Sequence, residues 1–190
     1  DIEPIEGDYL EFRLRRYLTF AEFKSELAPH FGLGLEGYAT WTSPIRKYSD
    51  MVNHRLIKAV LTQQACEKPQ DEVLARLQEA RRQNRLVERD IADWLYCRYL
   101  ADKVAENAEF DAEVQDVMRG GLRVQLLENG ASMFVPASTL HPNKDEMQVN
   151  ADELAMYIQG ERRYKIGDLV KVKLTEVREE TRSIIGQLII

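Results

Sequence analysis

Two hydrophobic periods divide the chain. From Ser43 to about Leu61, Ile45, Tyr48, Val52, Leu56 and Ala59 recur at helical spacing, which predicts a helix there. Ser43 suits its N-cap. Pro44 suits the first helical position, where a missing N–H costs nothing. "TQQACEKPQ" then reads as a connector. Between Gln70 and Arg119 there is neither Gly nor Pro, and Val73, Leu77, Ala80, Val87, Ile91, Trp94 and Leu95 mark one apolar face. The pattern predicts one long helix from about Asp71 to near Asn107, on the order of 50 Å at the helical rise per residue. After Phe110 the period becomes two. Phe110, Ala112 and Val114 alternate, as do Leu122, Val124 and Leu126 before a Glu128-Asn129-Gly130 turn. "SMFVP", Leu169 to Leu174 and Ser183 to Ile190 add three more strands, and five short strands suggest a small closed barrel, with the OB-fold as the leading candidate. The expected class is α+β, a helical portion over residues 1–107 and a five-stranded OB-fold barrel over residues 108–190. Residues 1–37 read as irregular, with three glycines in "HFGLGLEGY".

Composition narrows the class. At 190 residues and 44% hydrophobic, the chain can bury a real core in one or two domains. No apolar run nears the roughly 20 residues that cross a bilayer, and no signal peptide is visible. The chain starts at Asp1 rather than Met, so it is expected to belong to something longer. Cys66 and Cys97 lack ligand spacing and read as reduced cytosolic thiols. A net charge of −6 argues against a uniformly basic nucleic-acid-binding surface. Between residues 11 and 62, however, eight Lys/Arg stand against five acids, a local +3 that permits an anion site.

Within that region Arg46 and Lys47 are unusual. Helix starts favour acids, because unpaired N–H groups and the backbone dipole make that end positive. Two cations there, beside free N–H donors, form a phosphate or carboxylate receptor. An ion pair of Arg46 with Asp50 or Glu36 accounts for the same pattern, and Lys47 reads more simply as a solvated charge. Glu88 flanks the apolar face of the long helix, one turn from Asn84; such a strip lines a cleft or merely meets water. The three histidines show no zinc spacing, and no Gly-x-Ser-x-Gly elbow, P-loop or aspartate cluster is present. The residues thus offer an anion receptor with no nucleophile and no metal cage. In the barrel, Arg162, Arg163 and Lys165 surround Tyr164. Cations with an aromatic suit single-stranded nucleic acid, and Phe134 is a second stacking candidate, although a packed Tyr and a core Phe are the commoner outcomes.

"YATWTSPIRKYSDMVNHRL" resembles the C-terminal signature of the RNB catalytic domain of ribonuclease II-type exoribonucleases. "HFGLGLEGY" and "NRLVERDIADWLY" resemble the bacterial branch, and the region from Phe110 onward is similar to the S1 RNA-binding domain that follows RNB. Many relatives carry "HFTSPIRRY", from which Thr40-Trp41 and Lys47 depart. The resemblance implies processive 3′-to-5′ hydrolysis of single-stranded RNA to nucleoside 5′-monophosphates, in the cytoplasm. It also implies Mg²⁺ held by aspartates outside this chain, in the N-terminal part of the same enzyme. By the same resemblance Arg46 contacts the scissile phosphate, and Glu88 lies near the terminal nucleotide. Leu122 falls where an S1 barrel commonly carries an aromatic, leaving Phe134, Arg123, Arg162, Arg163 and Tyr164 as RNA-binding candidates. A binding module without chemistry, or a translation-related barrel with a helical extension, are the alternative readings.

Overall fold

The computed structural model describes Leu18 and residues 20–189. They fall into two compact units, Leu18–Val87 and Glu88–Ile190.

In the first unit, chain up to Lys47 is mostly irregular. A 3-10 turn at Phe31–Leu33 is closed by Gly34 in the left-handed region at φ 63°, its N–H bonded to the Phe31 carbonyl. Helix α1 runs Tyr48–Leu61. The helix does not begin at Ser43 as the spacing predicts. Residues 44–46 form a separate turn, in which the Ser43 carbonyl accepts the N–H of Arg46 at 3.2 Å and of Lys47 at 2.9 Å. Lys47, extended at φ −118° and ψ 112°, breaks the path and becomes the N-cap, without a side-chain cap bond. Ile45 is therefore off the helix and fully exposed. The reason lies at Asp50, whose carboxylate is buried and draws residues 40–43 back over α1.

Helix α2 spans Asp71–Ala101, with Asp71 and Glu72 in its first turn, where the helix dipole favours acids. It ends earlier than the predicted Asn107. The backbone tightens into a 3-10 turn at Asp102–Val104, and Asn107 at φ 53° reverses the chain, its N–H bonded to the Val104 carbonyl. Within α2 only Cys97 and Leu100 are buried. The predicted apolar face is present in sequence yet uncovered at Val87, Ile91, Trp94 and Leu95, which are 40–54% exposed.

The second unit is built on eight strands: β1 Glu109–Met118, β2 Gly121–Leu126, β3 Ser132–Pro136, β4 Met147–Asn150, β5 Ala155–Ile158, β6 Glu161–Lys165, β7 Leu169–Arg178 and β8 Ser183–Leu188. The five strands read from the sequence close into a barrel in the order β1-β2-β3-β8-β7, with β1 pairing back to β7. All pairings are antiparallel except β3 with β8, where Phe134 faces Ile185 and seals the barrel. This is the OB-fold arrangement. Helix α3 (Ala137–Leu140) and a separate three-stranded sheet, β4-β5-β6, fill the stretch between β3 and β7. Alternation places Phe110, Ala112 and Val114 inside on β1, and a register shift between Val114 and Asp116 brings Val117 inward too. Leu122, Val124, Leu126, Met133, Val135, Val172 and Leu174 complete the interior. At Gly186 a Cβ would lie 2.3 Å from Met133 Sδ and 2.8 Å from the Lys173 carbonyl, so only glycine fits where β7, β8 and the core converge.

Candidate functional site

The first site is the loop from Thr40 to Lys47 and the face of α1 beneath it. Three polar residues one helical turn apart, Asp50, Asn53 and His54, share that face. Each holds a different point of the loop. Asp50 Oδ1 accepts the Thr40 hydroxyl and, at 3.2 Å, the Ser49 hydroxyl; its Oδ2 accepts the Ser43 N–H at 2.9 Å. Asn53 Nδ2 donates to the Thr40 carbonyl at 2.9 Å, and His54 Nε2 donates to the Trp41 carbonyl at 2.8 Å. The Trp41 and His54 rings meet edge-on, with centroids 6.1 Å apart. Asp50 is fully buried, and its carboxyl stays below its usual 3.8. The Thr40 hydroxyl does most of this, aided by the Ser43 N–H, Ser49 and the nearby Lys47 charge; burial works the other way.

Arg46 stands on the last residue of the turn, exposed. Its side chain forms no ion pair or hydrogen bond among the described residues, so the alternative pairing with Asp50 or Glu36 is not made. The buried carboxylate goes to two hydroxyls and an amide, and the guanidinium is exposed with no partner among the described residues. Arg46 is not, however, the third residue of a helix: it precedes the first residue of α1 by two positions. Lys47 is exposed beside it.

Glu88 is exposed on α2, the first residue of the second unit, whereas Arg46 belongs to the first. On the barrel, Arg123 and Phe134 are directly opposite one another on β2 and β3. Both lie on the outward phase of their strands, Arg123 exposed and Phe134 half-buried. Leu122, expected where an aromatic would serve RNA, points instead into the core. The outward aromatic is Phe134, one strand over. On β6 Arg162 and Arg163 are exposed, and Arg163 pairs with Glu161 at 2.8 Å. Tyr164 is half-buried against the barrel core, and burial pushes its hydroxyl pKa up.

Sequence reasoning missed the Asp50 cluster, naming Asp50 only as a possible partner of Arg46. The sequence carries only a partial signal, one acid, one amide and one imidazole at i, i+3 and i+4 on one helix face, which does not by itself show that the acid is buried. Among the described residues no group of three or more His, Cys, Asp or Glu side chains is placed to hold a metal ion. The described residues therefore do not fit a Mg²⁺ centre. No helix among them is long and apolar enough to cross a membrane.

The RNB domain family matches residues 1–63, and the S1 RNA binding domain family matches residues 103–188. An exoribonuclease 2 of Haemophilus influenzae is 86% identical across 100% of the chain, and one of Mannheimia succiniciproducens is 83% identical over the same extent. The chain spans 29% of the length of each. A solved Mycoplasma genitalium RNase R, in complex with ribose-methylated single-stranded RNA, shares the fold with a TM-score of 0.74 at 23% identity, over 93% of this chain and 28% of that one. An RNB segment followed by an S1 barrel, with 83–86% identity along its whole length, makes the chain similar to the corresponding 29% of these exoribonuclease 2 relatives.

Proposed function

We propose that this chain is the C-terminal part of a processive 3′-to-5′ exoribonuclease, which hydrolyses single-stranded RNA to nucleoside 5′-monophosphates in messenger RNA decay. The carrying observation is the 86% identity to exoribonuclease 2 over the whole chain. In this reading residues 1–107 complete the catalytic domain and residues 108–190 form the RNA-holding barrel. Mg²⁺ is bound by aspartates elsewhere in the longer protein, which acts in the cytoplasm. Arg46 meets the scissile phosphate. A guanidinium carries a fixed charge and a planar fork that matches phosphate oxygens, and it stabilises charge that builds up during attack by water. Its exposure without a protein partner among the described residues supports that role. Glu88 sits near the terminal nucleotide and tunes how tightly it is held. Lys47, Arg162 and Arg163 supply backbone charge, and Arg123 with Phe134 the barrel's contact. Tyr164, packed inward, supports the β6 cations.

The test is Arg46→Ala in the full-length protein. A drop in kcat on the order of 10²–10³-fold is expected, as for loss of a charge-stabilising donor, with RNA affinity changed far less. A kcat within a few-fold of wild type would remove Arg46 from the reaction. A second reading, an RNA-binding segment without chemistry of its own, is favoured for the isolated chain by the lack of a metal-capable cluster among its described residues.

A further inference from the structure

Three features of the first unit converge on one backbone group. The Ser43 N–H is bonded to the buried Asp50 carboxylate at 2.9 Å. The Ser43 carbonyl in turn accepts the Arg46 N–H at 3.2 Å and the Lys47 N–H at 2.9 Å. Pro44 lies between them, with φ fixed by its ring and no N–H that would need a partner. One residue thus transmits the position of Asp50 to the backbone of Arg46 through two consecutive hydrogen bonds. The second oxygen of Asp50 takes the Thr40 hydroxyl, while Asn53 holds the Thr40 carbonyl and His54 the Trp41 carbonyl. The loop is fastened along its length to one helix face.

Asp50 is fully buried and is the one buried charged residue among those described. An ionised carboxylate out of water is costly unless its oxygens are satisfied. Here they are satisfied by two hydroxyls and an amide rather than by a bonded cation. The nearest guanidinium in sequence, Arg46, would have been the electrostatically simpler partner. It is left in solvent, and the carboxylate is spent on the loop that carries it. A protein needing only stability at this point gains nothing by burying an acid; replacing such a group with an apolar one is often neutral. A loop that must hold one cation at a defined place does gain, because misplacement of a reacting group by about 1 Å costs on the order of 10²-fold in rate.

We propose that Asp50 is a positioning residue for the reaction, holding Arg46 through Thr40 and Ser43 in the place where it meets the phosphate. This rests on the reading of Arg46 given above. Asp50 itself touches no RNA.

The test uses the full-length protein with a single-stranded oligoadenylate and Mg²⁺, measuring kcat, and separately RNA Kd with the divalent ion chelated. Asp50→Asn keeps the size and one acceptor but loses the second. It should lower kcat by about tenfold or more while Kd stays within about threefold. Thr40→Val, which removes only the hydroxyl, should lower kcat in the same direction, and Thr40→Ser, which keeps it, should recover most of the rate. The decisive arm is Asp50→Asn combined with Arg46→Ala. If Asp50 acts through Arg46, the double variant is within about twofold of Arg46→Ala alone. Multiplied losses in the double variant would show a merely structural role and overturn the proposal. So would Asp50→Asn and Thr40→Val at wild-type kcat alongside a slow Arg46→Ala, which would leave the assignment of Arg46 standing. An unaffected Arg46→Ala would instead bring down that assignment. Should Asp50→Asn fail to fold, Thr40→Val combined with Arg46→Ala carries the same comparison.

Discussion

At the residue scale, the most informative side chain is one whose type was visible and whose role was not. Arg46 could be singled out from the sequence because cations near a helix start are unfavourable without an anion. Asp50 could not, because its burial depends on how residues 40–43 fold back over α1, and that return is a tertiary event. The buried carboxyl makes a pH prediction. Its pKa is lower in the folded chain than the usual 3.8, with the Thr40 hydroxyl as the main cause. A depressed carboxyl stabilises the fold above its unfolded pKa, and the contribution is lost as pH falls through the folded value. Thermal midpoints of wild type and Asp50→Asn should therefore differ most near neutral pH and converge below about pH 4, where the unfolded carboxyl takes up its proton. A gap that stays constant down to pH 2 would refute the linkage. On the barrel, Arg123 and Phe134 make separable predictions, because they face each other on one outer surface. In the full-length protein, Phe134→Ala should weaken RNA binding by about 1–3 kcal/mol, the value of one stacked base. Arg123→Ala should lower the salt slope of log K by about 0.7, the single-strand value for one phosphate contact. Titrations at several salt concentrations distinguish the two. An unchanged Kd for Phe134→Ala would place the RNA on another face.

At the element scale, periodicity was legible wherever the core decided the outcome. The five barrel strands follow from alternation, because one phase of each is buried and a one-residue slip would expose it. Alternation placed Leu122 on the inward phase with Val124 and Leu126, which is where it lies. The β4-β5-β6 sheet was invisible. Its strands are four or five residues long and carry no clean alternation to read. The start of α1 was misplaced for another reason: Ser43 and Pro44 are good helix initiators, and here they initiate a turn instead, because the Ser43 N–H belongs to Asp50. Long α2 was legible in its start but not its end, and its apolar stripe says only that the face is apolar, and not what covers it. Gly186 makes the stability prediction for the barrel. A methyl there meets both the Met133 sulfur and the Lys173 carbonyl, and the backbone oxygen cannot move without opening the β7–β8 pairing. Gly186→Ala should lower the unfolding free energy of the barrel by about 1–3 kcal/mol, read as a shift of the urea midpoint with an unchanged slope. A shift near zero would mean that the core makes room for the methyl.

At the scale of the whole molecule, two quantities bear on how the chain behaves by itself. Its net charge is −6, so RNA attraction must come from local cations such as those on β6 rather than from a global field. Its described residues offer no cluster able to hold a metal ion. Hydrolysis of a phosphodiester by metal-assisted water needs that ion beside the reacting phosphate, and a guanidinium alone stabilises charge without making the nucleophile. Binding and cleavage should therefore separate cleanly. When the 190-residue chain is incubated with end-labelled poly(A) and Mg²⁺, the RNA should keep its length on a denaturing gel, while the full-length protein is expected to shorten it. Retention of the same RNA on a filter by the chain should fall steeply as salt rises, the signature of phosphate contacts released against counterions. Shortening of the RNA by the chain alone, abolished by a chelator, would place a working metal site within these residues and overturn the assignment of the metal to the rest of the enzyme. Loss of retention at every salt concentration would instead remove the barrel from RNA holding, and leave the catalytic reading of Arg46 to stand or fall on its own variant.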